Sequence, residues 1–352
     1  MSKVESSKCQ SCGYTLKYSP TDQALKCVHC GSVAHIADHT IGAKKDYTPE
    51  SSVEKNKNQN SMHECTSCGA KTNVGETVSG VCPYCGASNI KELADAISYT
   101  PDGLVPFKIT KEEAGDRYKQ WAKTRKFVPN KFKKVAQLDK SEGAYIPCWL
   151  YDFDVDSTYR GVGIEKHTKT VYRTNSNGTR VAHRETYETR HPFSGSRTDN
   201  FENYIYSASN SLSQKEVKGL GNFGLENLKA YDTAYLLGFL SSSYDQDVHT
   251  SFDQTKVDAK SEIANRVKNS YHYDRIENFS MQSKFYSIKW QYVYLPVYLC
   301  NFNYKKKSYR CVINGYTGHV TGKTPKSALK ITAFVLAIVL GVGALAYLFS
   351  MV

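Results

Sequence analysis

The chain has 352 residues and a formal net charge of +12, a length that allows about two domains plus appendages. The positive excess lies late in the sequence, with seven Lys or Arg and no Asp or Glu between Asn301 and Lys330, so nucleic acid is not required to explain it. Eight of the eleven cysteines fall in the first quarter, and no signal peptide precedes them, which argues against a secreted disulfide framework and for a reduced compartment.

Those eight form two copies of one pattern: Cys9-x-x-Cys12 with Cys27-x-x-Cys30, then Cys65-x-x-Cys68 with Cys82-x-x-Cys85. Two thiolates three residues apart reach one metal from a tight knuckle, and a second knuckle completes a tetrahedral four-sulfur shell, the arrangement of a structural zinc site. Gly13, Gly31, Gly69 and Gly86 each follow the second cysteine of a pair, where a residue tolerant of positive φ is needed. The reading is two zinc ribbons, 1–39 and 62–90, each with one structural Zn2+ whose binding supplies folding energy of about 10–16 kcal/mol. A closed four-cysteine shell leaves no position for water or substrate, so catalysis at the metal is not expected. Iron in a rubredoxin-like site is the alternative metal, and His29, His35 and His63 are read as surface histidines.

Residues 40–61 are polar and poor in large apolar side chains, as in a linker. An α+β body is expected over 91–322, mostly antiparallel sheet with a few helices. Within it, Leu104–Ile109 reads as a short strand, and Thr110 caps a helix running to about Lys126. Lys123, Arg125, Lys126, Lys131, Lys133 and Lys134 are read as a solvated face. From Tyr145 β-branched and aromatic residues dominate, with a hairpin turning at Asn177-Gly178. A second helix is expected over Thr255–Asn269 on the spacing of Val257, Ile263 and Val267. Strands resume over Tyr286–Gly322, turning at Lys305, Lys306 and Lys307. The twenty-six tyrosines suit half-buried strand faces.

Asp152, Asp154 and Asp156 alternate along a strand and project from one face, but they lack the glycine and acid of a calcium hand and read as a solvated row. Gly318 to Thr324 has three residues between its glycines where a phosphate loop needs four, and reads as a hairpin end. His167, His183 and His191 have no metal-ligand spacing. Cys148, Cys300 and Cys311 sit in apolar strand contexts, as buried thiols do. No catalytic grouping is present, so an enzyme is not expected.

Ile331 to Ser350 is twenty residues without a charge, about 30 Å as a helix, which predicts one C-terminal transmembrane span. Lys323, Lys326 and Lys330 form a basic stretch, 323–330, expected to contact the membrane surface, with the N-terminal body in the cytoplasm by the positive-inside rule. Ala333, Ala337 and Gly341 make a small-residue ridge along which two spans could associate.

The paired ribbons, with Leu104-Val-Pro-Phe-Lys, Tyr145-Ile-Pro-Cys-Trp-Leu-Tyr-Asp, Tyr231-Asp-Thr-Ala-Tyr-Leu, Leu295-Pro-Val-Tyr and Asn314-Gly-Tyr-Thr-Gly-His-Val-Thr-Gly, resemble bacterial tail-anchored double zinc-ribbon membrane proteins, often labelled TFIIB-type zinc-ribbon or primosomal-protein-like. Cys148 stands where an aromatic residue is common in that family, and only one knuckle carries a proline, Pro83. The resemblance implies an adaptor at the cytoplasmic face of the cell membrane, similar to partners of phage-shock-type membrane-stress proteins. The expectation is thus a membrane-anchored scaffold acting by protein docking, with a nucleic-acid-binding zinc-ribbon protein as the alternative.

Overall fold

A computed structural model describes residues 8–53, 55–56, 62–73, 82, 84, 90–93, 98–130, 142–304 and 307–350. The first ribbon contributes β1 (Leu16–Ser19) and β2 (Ala24–Cys27), an antiparallel pair extended by Val33–Ala34. The second contributes β3 (Met62–Cys65), β4 (Lys71–Asn73) and β5 (Ile90–Leu93), with β3 between the other two.

Helix α1 (Lys111–Thr124) begins where expected. Thr110 accepts from the Glu113 amide while the Glu113 carboxylate accepts from the Thr110 amide, a reciprocal cap. Of the expected Leu104–Ile109 strand only Leu104 lies in one, the two-residue Gly103–Leu104, which runs parallel to a later strand on one side and antiparallel to Lys229–Ala230 on the other.

Two long strands then run antiparallel, β6 (Glu142–Thr174, 33 residues) and β7 (Arg180–Ser207, 28 residues). The turn between them carries Gly178 at φ +77°. A short helix, α2 (Gln214–Gly219), and a three-residue strand, β8 (Leu240–Ser242), follow.

Helix α3 (Val248–Asn269) starts seven residues before the expected Thr255. Asp247 caps it, accepting from the His249 and Thr250 amides. Its inward stripe is Phe252, Thr255, Ala259, Ile263 and Val267, whereas Val257, used to place the helix from sequence, is 60% exposed.

A third long strand, β9 (Arg275–Tyr304, 30 residues), pairs with the other side of β6. It is followed by β10 (Lys307–Asn314) and β11 (Val320–Gly322). The Gly318–Thr324 segment thus belongs to a hairpin end, where the Asn314 carboxamide oxygen accepts from the Tyr316 and Thr317 amides.

The chain ends in α4 (Ala328–Ser350). Among the described residues, the body is mostly sheet with four helices.

The expected transmembrane helix is corrected here: among the described residues no helix is long and apolar enough to cross a membrane. The expectation rested on the absence of charge over Ile331–Ser350, which sets a length but does not by itself make a span. The cell-membrane localisation expected from that span falls with it.

The central sheet is buried on both faces from Ala144 to Tyr151, and its period-two alternation sorts two different cores. One face carries Tyr145, Trp149 and Tyr151 of β6 with Trp290, Tyr292, Tyr294 and Tyr298 of β9. The opposite face carries Ala144, Ile146, Cys148 and Leu150 with Val293, Leu295, Val297 and Leu299. One face is aromatic and the other aliphatic.

Each core receives one ribbon. Cys9, Leu16, Tyr18 and Cys27 join the aromatic core beside α1 and α3, and Cys65, Cys82 and Tyr84 join the aliphatic core beside α2. The ribbons therefore flank the sheet on opposite sides.

The 40–61 segment, linker-like in composition, meets the same sheet. Asp46 and Lys45 pair with Lys289 and Trp290 of β9. The Gln291 side chain donates to the Gly42 carbonyl at 2.9 Å, and the Trp290 indole donates to Ser51 at 3.1 Å.

Candidate metal centre

Three of the cysteine knuckles are built alike. In the first, the Cys9 amide donates to the Tyr14 carbonyl and the Gly13 amide returns to the Cys9 carbonyl. Cys27 repeats this with Ser32 and Gly31, and Cys65 with Ala70 and Gly69. Each closing glycine sits at positive φ, +75°, +74° and +73°, a backbone conformation that would strain any side chain bearing a Cβ. The turn holds the two sulfurs of its pair on one side.

In the first ribbon the Cys9, Cys12, Cys27 and Cys30 sulfurs all lie within 4.8 Å of one another. Cys9 and Cys30 are 3.6 Å apart, and Cys12 is 3.4 Å from both Cys27 and Cys30. A tetrahedral ion with metal–sulfur bonds of about 2.3 Å places its ligands about 3.8 Å apart, close to these separations. They are far beyond the about 2.05 Å of a disulfide, and the cysteines are free thiols.

The second ribbon brings Cys65, Cys68 and Cys82 together within the same 4.8 Å, with Cys68 and Cys82 at 3.7 Å. Cys85 and Gly86, expected to complete that knuckle, lie outside the described residues. Both clusters can hold a metal ion.

The thiols differ in environment. The Ser32 hydroxyl, 3.0 Å from the Cys30 sulfur, is the leading cause that brings that exposed thiol down to about 6. Cys9 and Cys27 are buried, so losing either ligand exposes core as well as opening the shell.

The first ribbon is tied to the body by backbone. The Tyr18 amide donates to the Leu237 carbonyl at 2.9 Å, and the Gln23 side chain donates to the Phe107 carbonyl at 2.8 Å. The second is continuous with the sheet: β4 pairs with β8, which lies parallel to β6.

Two supporting residues carry no signal of that role in the sequence. Tyr84, fully buried, has its hydroxyl 2.6 Å from that of Ser242. Arg310 grips both carboxylate oxygens of Glu216 and donates to the Ser211 and Tyr84 carbonyls. Both positions read as ordinary strand or knuckle residues until the fold brings their partners in.

His29 stacks on Tyr14 at 4.2 Å and lies outside the thiol group, as do His35 and His63. Among residues in the carboxylate row, Asp152 meets Lys44 and the Asn203 amide, Asp154 the Asn200 side chain, and Asp156 Thr198 and Tyr286. Each is occupied by protein partners. His167 and His191 converge on Glu165 at 3.6 and 3.5 Å but form no metal-holding group among the described residues. Cys148, Cys300 and Cys311 are buried, the latter two as direct cross-strand neighbours.

Of the basic residues expected at a membrane surface, Lys330 donates to the Val128 carbonyl and the Asn130 side chain at 2.9 and 2.8 Å. The Lys323 amide donates to the Arg310 carbonyl, and Lys326 lies in the groove beside Pro325 and Lys330. With the span corrected, their membrane role is withdrawn. Arg125 lies over the Trp121 ring, while Lys131, Lys133, Lys134, Lys305 and Lys306 lie outside the described residues.

No family model matches the chain, and no solved structure matches it. The chain is similar to the uncharacterized protein YdjG of Bacillus subtilis (strain 168), 27% identical over 253 residues, 69% of each chain.

Proposed function

We propose that this chain is a non-enzymatic adaptor, stabilised by a structural zinc ion in each cysteine ribbon, that works by docking protein partners. The observation that carries this reading is the two-sidedness of the first ribbon. Its inner side is committed to the body's core through Leu16, Tyr18 and Leu25, while its outer knuckles leave Tyr14, Val28 and Val33 about half exposed, at 54%, 57% and 47%. Large apolar side chains held on a rigid turn are what a protein partner can bury.

Zinc fits because a thiolate-only tetrahedral set is a structural zinc shell, and four sulfurs leave no position for a substrate. Elemental analysis of protein purified without added metal is expected to give two zinc ions per chain. Stoichiometric iron in their place overturns the assignment.

The docking role is tested by affinity purification with the intact chain and with Tyr14→Ser/Val28→Ser. A partner retained by the first and lost by the second, at unchanged metal content, supports it. Identical recovery by both removes the ribbon as the docking element. A nucleic-acid role for the ribbons themselves has less behind it: of Tyr14, Tyr18 and Tyr84, which could stack on bases, Tyr18 and Tyr84 are buried at 4% and 0% and Tyr14 alone is exposed.

A further inference from the structure

The three long strands do not end together. β9 pairs with β6 only as far as Arg275 opposite Ile164, whereas β6 and β7 continue from Glu165–Thr189 to Thr174–Arg180 with no third strand beside them among the described residues. Ten residues on each strand thus form a two-stranded arm about 33 Å long.

A charged ladder marks its base. Arg275 holds Glu188 with two hydrogen bonds and also Glu277, which Arg190 engages in turn. Ile164, fully buried, lies between Arg190 and Arg275 in the register.

The arm has two unlike faces. Pairing matches even with even and odd with odd residues, and even positions from Lys166 to Thr174 and from Arg180 to Arg190 are all exposed. Beyond the ladder the even face carries Thr168, Thr170, Tyr172, Arg180, Arg184 and Thr186, with no acid among its side chains. Arg184 meets no carboxylate among the described residues, and Arg180 lies over the Tyr172 ring, itself 61% exposed. The odd face differs, since Glu185 there is taken by Lys169 and Arg173.

We propose that the even face of this arm binds double-stranded nucleic acid, the ribbon lying in the major groove with Arg180 and Arg184 on backbone phosphates. A major groove about 12 Å wide admits a two-stranded ribbon. Arginine and threonine side chains are donors suited to phosphate oxygens, and an acid-free face matches a polyanion. A bilayer would call for a continuous apolar surface, which Tyr172 alone does not provide. This contact is independent of protein docking by the ribbons.

The test uses the full-length, metal-loaded chain and a fluorescein-labelled DNA duplex of mixed sequence, read by anisotropy across a salt series. Arg180→Ala/Arg184→Ala is compared with Lys111→Ala/Lys119→Ala, which removes the same charge from α1. The arm variant is expected to bind about tenfold more weakly and to lower the salt slope by about two, one for each phosphate it no longer neutralises, while the α1 variant stays near the parent. Equal weakening in both variants, or no duplex binding by the parent at low salt, overturns the proposal. Binding of phosphatidylglycerol vesicles that is abolished in the arm variant, without duplex binding, overturns it in favour of a lipid surface.

Discussion

The hydroxyl of Tyr84 lies 2.6 Å from that of Ser242, fully buried between the second cysteine ribbon and the strand that joins it to the central sheet. The Tyr84 ring packs in the same core as Cys65 and Cys82. This hydrogen bond links the second cysteine ribbon to the body.

Tyr84→Phe keeps the ring and removes the bond, leaving Ser242 only a long hydrogen bond of 3.4 Å to the Tyr145 carbonyl. A loss of about 1 kcal/mol in unfolding free energy is expected, measured by urea denaturation. Metal content should be unchanged. Adding Ser242→Ala should cost much less than the sum of the two single changes, because the pair acts as a unit.

Glu216 connects stability to pH. Burial by itself would raise its carboxyl, but Arg310 and Ser213 outweigh that and hold it below its ordinary value. A carboxylate depressed in the folded state contributes stability that is complete above its unfolded value, about 4.3, and is lost as pH falls through the folded value. Glu216→Gln should therefore cost about 1.5–3 kcal/mol at neutral pH. Urea unfolding from neutral pH into acid should show a shallower decline for the variant than for the parent.

Cys27→Ser opens the first shell at a buried position. Elemental analysis should show one ion lost per chain and the second retained. Because Cys27 shares a core with Trp149, Tyr292 and Phe107, near-ultraviolet circular dichroism should weaken along with the melting temperature. A normal aromatic signal after loss of that ion would show that the ribbon folds apart from the body.

Asp247 caps α3 through two backbone amides. Asp247→Ala should destabilise the chain by about 1 kcal/mol, and Asp247→Asn, which keeps an accepting oxygen, by much less. Thermal melts of the two variants distinguish a missing cap from a general surface effect.

Cysteine knuckles, the Thr110 cap and the Asn177-Gly178 turn are legible in sequence because each is closed by residues within a few positions of one another. The start of α3 is not, because Val257 suggests an inward stripe that runs instead through Phe252 and Ala259. The uncharged C-terminal run is legible as helix, while the bilayer span expected of it is not upheld.

The clusters of Cys9, Cys12, Cys27 and Cys30 and of Cys65, Cys68 and Cys82 were legible in the sequence, since cysteine spacing is a local property of the chain. Which face of the sheet each ribbon would cover was settled only in three dimensions, by the pairing of Tyr145 with Pro296 and Trp149 with Tyr292. That register puts the aromatic rings of β6 and β9 on one face and their aliphatic side chains on the other. The arm has the same origin, because only long-range pairing determines that β9 begins at Arg275 and leaves Glu165 to Thr189 without a third strand among the described residues.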